Sequence, residues 1–388
     1  MSAVVVAARR TPFATAGTTY AGLRDHDLAA AVLTALAEDV AACAAGEDVA
    51  VAEVVAGVGT ADGNPARRAA LAAGFGAGVP GTTVDAQCAS GLAAVRFAAA
   101  LAATGSGPVL AVGAESTTSR HLDGVVPRAA FAPDGFPDPD MGPAADALAA
   151  HLGISRADQE AFAVRSHARA LVARRRTAER FVPLAGVEHD ARPRVLRPEV
   201  VARFSPAFGG TVTAATASAH ADGAAGLALV DLATAERWGA GGLAVLGTAA
   251  VGADPALPGA AAAPAVRAAL RSARLDLAAV DRLEVGEAFA AQVLACSRDL
   301  GLDDADARLN PDGGALAIGH PWGATGAALL VALAGGLAAG QVGVAVSAAG
   351  GGLGVAVVVR ARAAGRGGTP TAPVPASSGA GWWLTGLP

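Results

Sequence analysis

The chain is 388 residues long, 53% hydrophobic and 16% charged, with a net charge of −5. That length fits two or three domains or one large compact unit, and the negative balance argues against a general nucleic-acid binder. Aromatics are only 4%, so Ala, Val, Leu and Gly fill the core and let backbones approach closely.

Val4 to Ala7 reads as a short buried strand, and Leu23 to Ala37 as a helix with Asp25 and Asp27 near its start, where negative charge suits the helix dipole. Val51 to Val58 and residues 79–87 read as strands, the second ending at Gln87. Ala89 to Ala103 is a helix with almost no polar face, which places it inside the protein. Pro108 to Gly113 is a strand. From Arg120 to about Asp222 charge density and proline content rise, as in a polar insertion between two apolar halves. Ser155, with Asp158 and Gln159, marks the start of an amphipathic helix reaching Arg175. The last third returns to the first pattern: a strand at Leu283–Val285, a helix at Ala288–Ser297, a Gly-rich loop from Asn310 to Gly326, an apolar helix at Ala324–Leu337, and paired strands at Val342–Ser347 and Gly354–Arg360. Each half therefore holds strand, reactive loop, buried helix and strand, a weak internal duplication. Residues 363–388 read as a mobile tail, in which Trp382 and Trp383 have no account.

The three cysteines, Cys43, Cys88 and Cys296, are too few and too far apart for a disulfide framework or a zinc site, and a reducing cytoplasm suits them. Near the N-terminus the apolar run precedes Arg9 and Arg10, the reverse of a signal peptide. The apolar stretch 323–340 lacks aromatic flanks and reads as a buried helix rather than a membrane span. All 29 basic residues are arginines. The planar guanidinium suits a phosphorylated ligand, but a bias running through the whole chain is better explained by codon usage.

Four constellations carry candidate chemistry. In Asp85-Ala-Gln-Cys88-Ala-Ser-Gly91 a cysteine sits where a strand meets a buried helix, whose N-terminus favours thiolate; the plainer alternative is an inert buried cysteine. Asn310 to Gly323 places His320 in a glycine-rich loop, with Pro321 fit to open a helix. A neutral imidazole there can take a proton from a thiol and return it, although a lone loop histidine is more often on the surface. Ser347-Ala-Ala-Gly350-Gly-Gly-Leu-Gly354 is either a tight hairpin or a main-chain oxyanion site. Gly286-Glu287-Ala288-Phe289-Ala290 stands at a strand-to-helix junction and is by itself a plain helix start.

In order and spacing these segments resemble the thiolase family. Cys88 matches the nucleophile of its C-A-S-G motif, and Gly313 to Gly323 resembles its GGA-x-A-x-GHP-x-G-x-(S/T)-G motif, with His320 and Thr325 in place. Arg10-Thr-Pro-Phe13, Pro65-Ala-Arg67, Gly113-Ala-Glu-Ser116, Met141-Gly142, Ser155-Arg156 and Gly209-Gly-Thr-Val-Thr213 agree as well, so the likeness spans residues 3–362. The resemblance implies an α/β, thiolase-like fold: two similar halves, each a five-stranded mixed sheet, in a five-layer α-β-α-β-α arrangement with the two buried helices at its centre. It implies an N-terminal half over 1–117, a loop domain over 118–222 on the coenzyme A side, and a C-terminal half over 223–362. It makes Cys88 the nucleophile, His320 its activator, and the main-chain N–H of Cys88 and Gly350 the oxyanion donors. It places Ser218, Met141, Phe289, Ala290 and Gly319 on the substrate and coenzyme A side. It also implies a homodimer or homotetramer, a coenzyme A thioester as substrate, no permanently bound cofactor and no metal.

Two positions depart from the family. The second cysteine, which acts on the substrate α-carbon, falls at Ala348, and the Asn of Asn-Glu-Ala-Phe falls at Gly286. Ser347 is next to Ala348, but neighbouring strand residues point to opposite faces. Both losses touch carbon–carbon bond chemistry and leave acyl loading of Cys88 intact, with Glu287 or a substrate group as candidate replacement base. The leading expectation is therefore a thiolase-like acyltransferase that passes the acyl group of an acyl-CoA or acyl-carrier thioester from Cys88 to an already nucleophilic acceptor, as in specialised metabolism. The alternatives are conventional condensation and thiolysis, and a weakened acyl-CoA-binding subunit with a partner protein. Nothing points to nucleic acid or membrane.

Overall fold

The computed structural model describes residues 3–59, 63–122 and 130–365. The tail reading with Trp382 and Trp383 thus falls, from residue 366 onward, outside the described residues.

The first half runs β1 (Ala3–Arg10), β2 (Ala14–Thr15), α1 (Asp25–Cys43), β3 (Glu53–Gly57), α2 (Pro65–Ala72), β4 (Gly81–Val84), α3 (Ser90–Ala102) and β5 (Val109–Ser116). Then come α4 (Thr117–Leu122), α5 (Met141–His151), α6 (Arg156–Ala178) and α7 (Pro198–Val201), before β6 (Ala221–Asp231) and α8 (Leu232–Arg237). The second half runs β7 (Gly242–Gly252), α9 (Ala262–Ala273), β8 (Arg282–Val285), α10 (Ala290–Asp299), α11 (Ala315–Ile318), α12 (Trp322–Gly336), β9 (Val342–Ala349) and β10 (Leu353–Arg362).

The strands follow the order β4-β3-β5-β6-β1-β7-β10-β9-β8. The order falls into two copies of one pattern: β4-β3-β5-β6-β1, and β8-β9-β10-β7 read from the other end. A single parallel bridge, Leu283 to Leu309, stands where the second copy would have its outer strand. The second sheet therefore has four described strands, not the five expected. Among the described residues the sheets pair through Val4 with Ala244 and Val5 with Leu243.

Three apolar clusters explain the layering. One joins α1 and α2 to the outer face of the first sheet, and another joins α9 and α10 to the outer face of the second. The third lies between the sheets and holds α3 and α12. These two helices can cross so closely because of glycine: a Cβ at Gly91 would stand 2.6 Å from the Gly323 carbonyl oxygen, and one at Gly326 would stand 2.7 Å from the Leu92 nitrogen. The apolar stretch 323–340 is thus a buried central helix over most of its length, and no helix among the described residues is long and apolar enough to cross a membrane.

Most elements fall where the pattern predicts, with shifted ends. The strand expected over 79–87 stops at Val84, because Asp85 begins a turn by accepting the Gln87 N–H at 2.8 Å. The helix after Ser155 has the full capping box, Ser155 with Asp158. β6, β7 and α9 had no assignment from the sequence. β6 is buried at ten consecutive positions, so it shows no alternation of apolar and polar residues to read.

Candidate active site

Cys88 lies in a 3-10 turn, Gln87–Ala89, just before α3. The preceding Gln87 has φ 53°, a left-handed conformation that costs a non-glycine residue energy. Side chains hold the turn in this shape. Asp85 takes the Gln87 N–H; the Ser90 hydroxyl accepts from Ala86 N at 2.9 Å and donates to the Gln87 carbonyl at 2.6 Å. From β9, Ser347 Oγ donates to the Cys88 carbonyl at 3.1 Å.

The expectation of a stabilised thiolate needs correction. α3 begins at Ser90, beyond the cysteine, and burial, Glu115 and Asp85 together push the Cys88 thiol up to about 12. Desolvation of the charged form outweighs what the helix end offers. Glu115 is fully buried, and its Oε2 accepts the N–H groups of Gly59 and Gly323, each at 3.0 Å. Gly59 abuts the Gln87 carbonyl. One carboxylate thus ties the start of α12 to the neighbourhood of the cysteine.

His320 stands at that start, with Pro321 as the cap of α12. Its main-chain N–H donates to Ala219 O at 2.8 Å, and its Nδ1 lies 2.7 Å from Thr325 Oγ1, one helical turn on. Nε2 is buried without a hydrogen-bond partner among the described residues. Burial, with a smaller effect of His220, depresses the imidazole to about 3. Both side chains therefore rest uncharged, one as a thiol and the other as a neutral imidazole.

The strip Thr216–His220 knits the remaining segments together. Ala217 bridges to Phe289, Ala290 N donates to Thr216 O at 2.9 Å, and Ser218 Oγ donates to Ala288 O at 2.9 Å. Further along, His220 bridges to His320, and Ala221 packs against the position of Gly319. Phe208 meets the Phe289 ring edge-on at 6.4 Å and lies against Gly142, next to Met141. Gly350 opens the turn between β9 and β10, beneath the ring of Phe131. His320, Ser218, Phe289, Ala290, Gly319 and, through Phe208, Met141 are thus joined in one network, to which Glu115 ties the Cys88 turn; Gly286 faces Ser347, the β9 residue that holds the Cys88 carbonyl, and Gly350 follows at the end of that strand.

Glu287 is the correction. It is 0% exposed; its carboxylate accepts from Ser166 Oγ at 2.7 Å, Asn310 Nδ2 at 2.8 Å and Leu316 N at 3.1 Å. Burial raises its carboxyl while these donors pull it back. The side chain is enclosed as a brace between α6 and the His320 loop and is not free to act as a base. Glu287→Ala is expected to cost about 3 kcal/mol or more, because three buried donors lose their acceptor. Urea unfolding measures this, and an unchanged midpoint would contradict the brace.

Sequence reasoning missed Phe208, Phe131 and the tie made by Glu115. Phe208 precedes a Gly-Gly pair and Glu115 lies within the segment Gly113–Ser116, both weak signals; Phe131 carried none that distinguishes a site. Ala348 packs into the outer cluster of the second half. Among the described residues no group of three or more His, Cys, Asp or Glu could hold a metal ion.

Comparison with known proteins identifies the family. The chain matches the family descriptions "Thiolase, N-terminal domain" over residues 3–233 and "Thiolase, C-terminal domain" over residues 243–361. It is 39% identical to a β-ketoadipyl-CoA thiolase of Pseudomonas aeruginosa, over 83% of this chain and 89% of that one. It is 35% identical to an acetyl-CoA acetyltransferase of the same organism, over 85% and 91%. The crystal structure of a thiolase from Ascaris suum in complex with coenzyme A superposes with a TM-score of 0.82 at 28% identity, covering 93% of this chain and 100% of that one.

Proposed function

Since the chain belongs to the thiolase family, an enzyme family of the acyltransferase kind, we propose that it is an acyl-CoA C-acyltransferase, running thiolysis or the reverse condensation through an S-acyl intermediate on Cys88. The observation that carries this reading is the braced Cys88 turn tied by Glu115 to the segment that begins with His320. The activities named for the relatives favour the conventional reaction over transfer to a different acceptor, the expectation ranked first from the sequence.

In this reading the Cys88 thiol attacks the thioester carbonyl as its proton moves to His320. The N–H groups of Cys88 and Gly350 hold the oxygen charge. When the tetrahedral intermediate collapses, the departing thiolate of coenzyme A takes the proton from His320. Acyl-Cys88 and free coenzyme A remain, so the atoms and protons balance. Residues 118–222 serve as the loop domain that holds coenzyme A, with Met141, Ser218, Phe208 and Phe289 along the pantetheine path. A homodimer or homotetramer belongs to the same reading; the outer edge of β4 and Phe97, 49% exposed on α3, are surfaces such assembly would cover.

Ala348 and Gly286 favour a second reading, in which loading proceeds but the acceptor is nucleophilic without help from the enzyme. A thiolysis assay with 3-ketoacyl-CoA and coenzyme A, run beside intact-mass analysis after exposure to acyl-CoA, separates the two. Thiolysis with acyl-Cys88 supports the conventional enzyme; acyl-Cys88 without thiolysis supports the second reading; neither leaves only a binding subunit.

A further inference from the structure

Ala348 drew attention as the place of a missing acid/base, yet its neighbour Ser347 is the residue that reaches the nucleophile. Successive strand residues face opposite sides, and the packing shows which side is which. Ala345 and Ala349 join the central cluster beside Cys88, whereas Val344, Val346 and Ala348 pack outward. Ser347 shares the inward face, is 2% exposed, and donates its hydroxyl to the Cys88 carbonyl at 3.1 Å.

Across from it, at the end of β8, stands Gly286, whose N–H donates to Val346 O at 2.9 Å. A Cβ at Gly286 would lie 3.2 Å from Ser347 Oγ and 3.8 Å from Ser347 Cβ. A side chain at 286 therefore starts against the Ser347 hydroxyl, closer than an ordinary contact, and the hydroxyl must give way to admit it. The departure at 286 and the serine at 347 are two parts of one local arrangement.

We propose that Ser347 is a positioning residue that fixes the Cys88 carbonyl, and that Gly286 is small because Ser347 occupies the space a side chain there would need. The inference rests on Cys88 being the acylated residue. The strained Gln87 peptide is held by Asp85 and Ser90 from within the turn; Ser347 holds the following peptide from another sheet strand. Its proton is committed to a carbonyl and its ordinary pKa is far too high for a base. It acts by setting the direction of the Cys88 sulfur and N–H.

The test compares Ser347→Ala, Gly286→Asn and the double variant. Two rates are read, single-turnover acylation of Cys88 by acetyl-CoA and alkylation of Cys88 by iodoacetamide, together with KM for the acyl-CoA and the melting temperature. Ser347→Ala is expected to slow acylation roughly five- to twentyfold with KM unchanged, the scale of one lost hydrogen bond amplified by misplacement. Gly286→Asn is expected to lower the melting temperature sharply with Ser347 present and much less in the Ser347→Ala background, a non-additive pair. Acylation within about twofold of wild type in Ser347→Ala, or equal cost of Gly286→Asn in both backgrounds, would overturn the proposal. Should the wild type never acylate, the acyl-transfer reading fails instead, and alkylation and melting still decide whether the two positions are coupled.

Discussion

Replacing Cys88 with alanine is expected to abolish the acyl increment seen by intact-mass analysis after acyl-CoA exposure and to cut turnover by about 10⁴-fold or more, the range for loss of a nucleophile. The fold should survive, because the turn is braced by Asp85, Ser90 and Ser347 rather than by the sulfur. Cys43 and Cys296 remain in the variant and serve as internal controls; Cys296 is buried on α10, and burial raises the thiols of both. Label that persists in Cys88→Ala would place the acyl group elsewhere and remove the basis of the proposed chemistry.

His320→Asn is expected to slow acylation of Cys88 by about 10²–10⁴-fold, the usual contribution of a positioned general base. Its pH profile is the sharper reading. In the proposed chemistry the partners start as neutral thiol and neutral imidazole, with Cys88 raised to about 12 and His320 depressed to about 3. Acylation should therefore be flat across the neutral range. Without His320 the thiol must lose its proton to solvent, so the residual rate should climb about tenfold per pH unit below the thiol pKa. A flat profile in the variant would show that His320 does not take the thiol proton.

The same histidine links to stability. The folded pKa of His320 lies below its unfolded value, so below about pH 6.5 the unfolded chain binds a proton that the native state refuses. Stability from this source is whole above pH 6.5 and is lost progressively as pH falls toward 3. His167, depressed to about 4 chiefly by burial, adds to the loss in the same direction. Urea midpoints measured from pH 7 down to 4 should fall less steeply in His320→Asn than in wild type, and parallel slopes would contradict the depressed value.

What sequence alone determined here is local or repeated. The two apolar central helices, the Ser155 cap and the Cys88, His320 and triple-glycine motifs are readable because a few neighbouring residues fix them: all-round apolarity, a capping pair, glycine and proline at a turn. The duplication was visible because each half repeats one order of elements. The tertiary structure decided everything that depends on partners far along the chain. Glu287 looked like a spare carboxylate until Ser166, 121 residues away, and Asn310 enclosed it. The thiol at a helix start looked activated until burial and the Glu115 charge raised it. The face of β9 that meets Cys88 was set by packing against the central layer, and only that packing shows Ser347, 259 residues from Cys88, as the side chain that touches it. Motif spacing records which groups a turn can present; desolvation and the pairing of distant side chains determine which of them remain free to react.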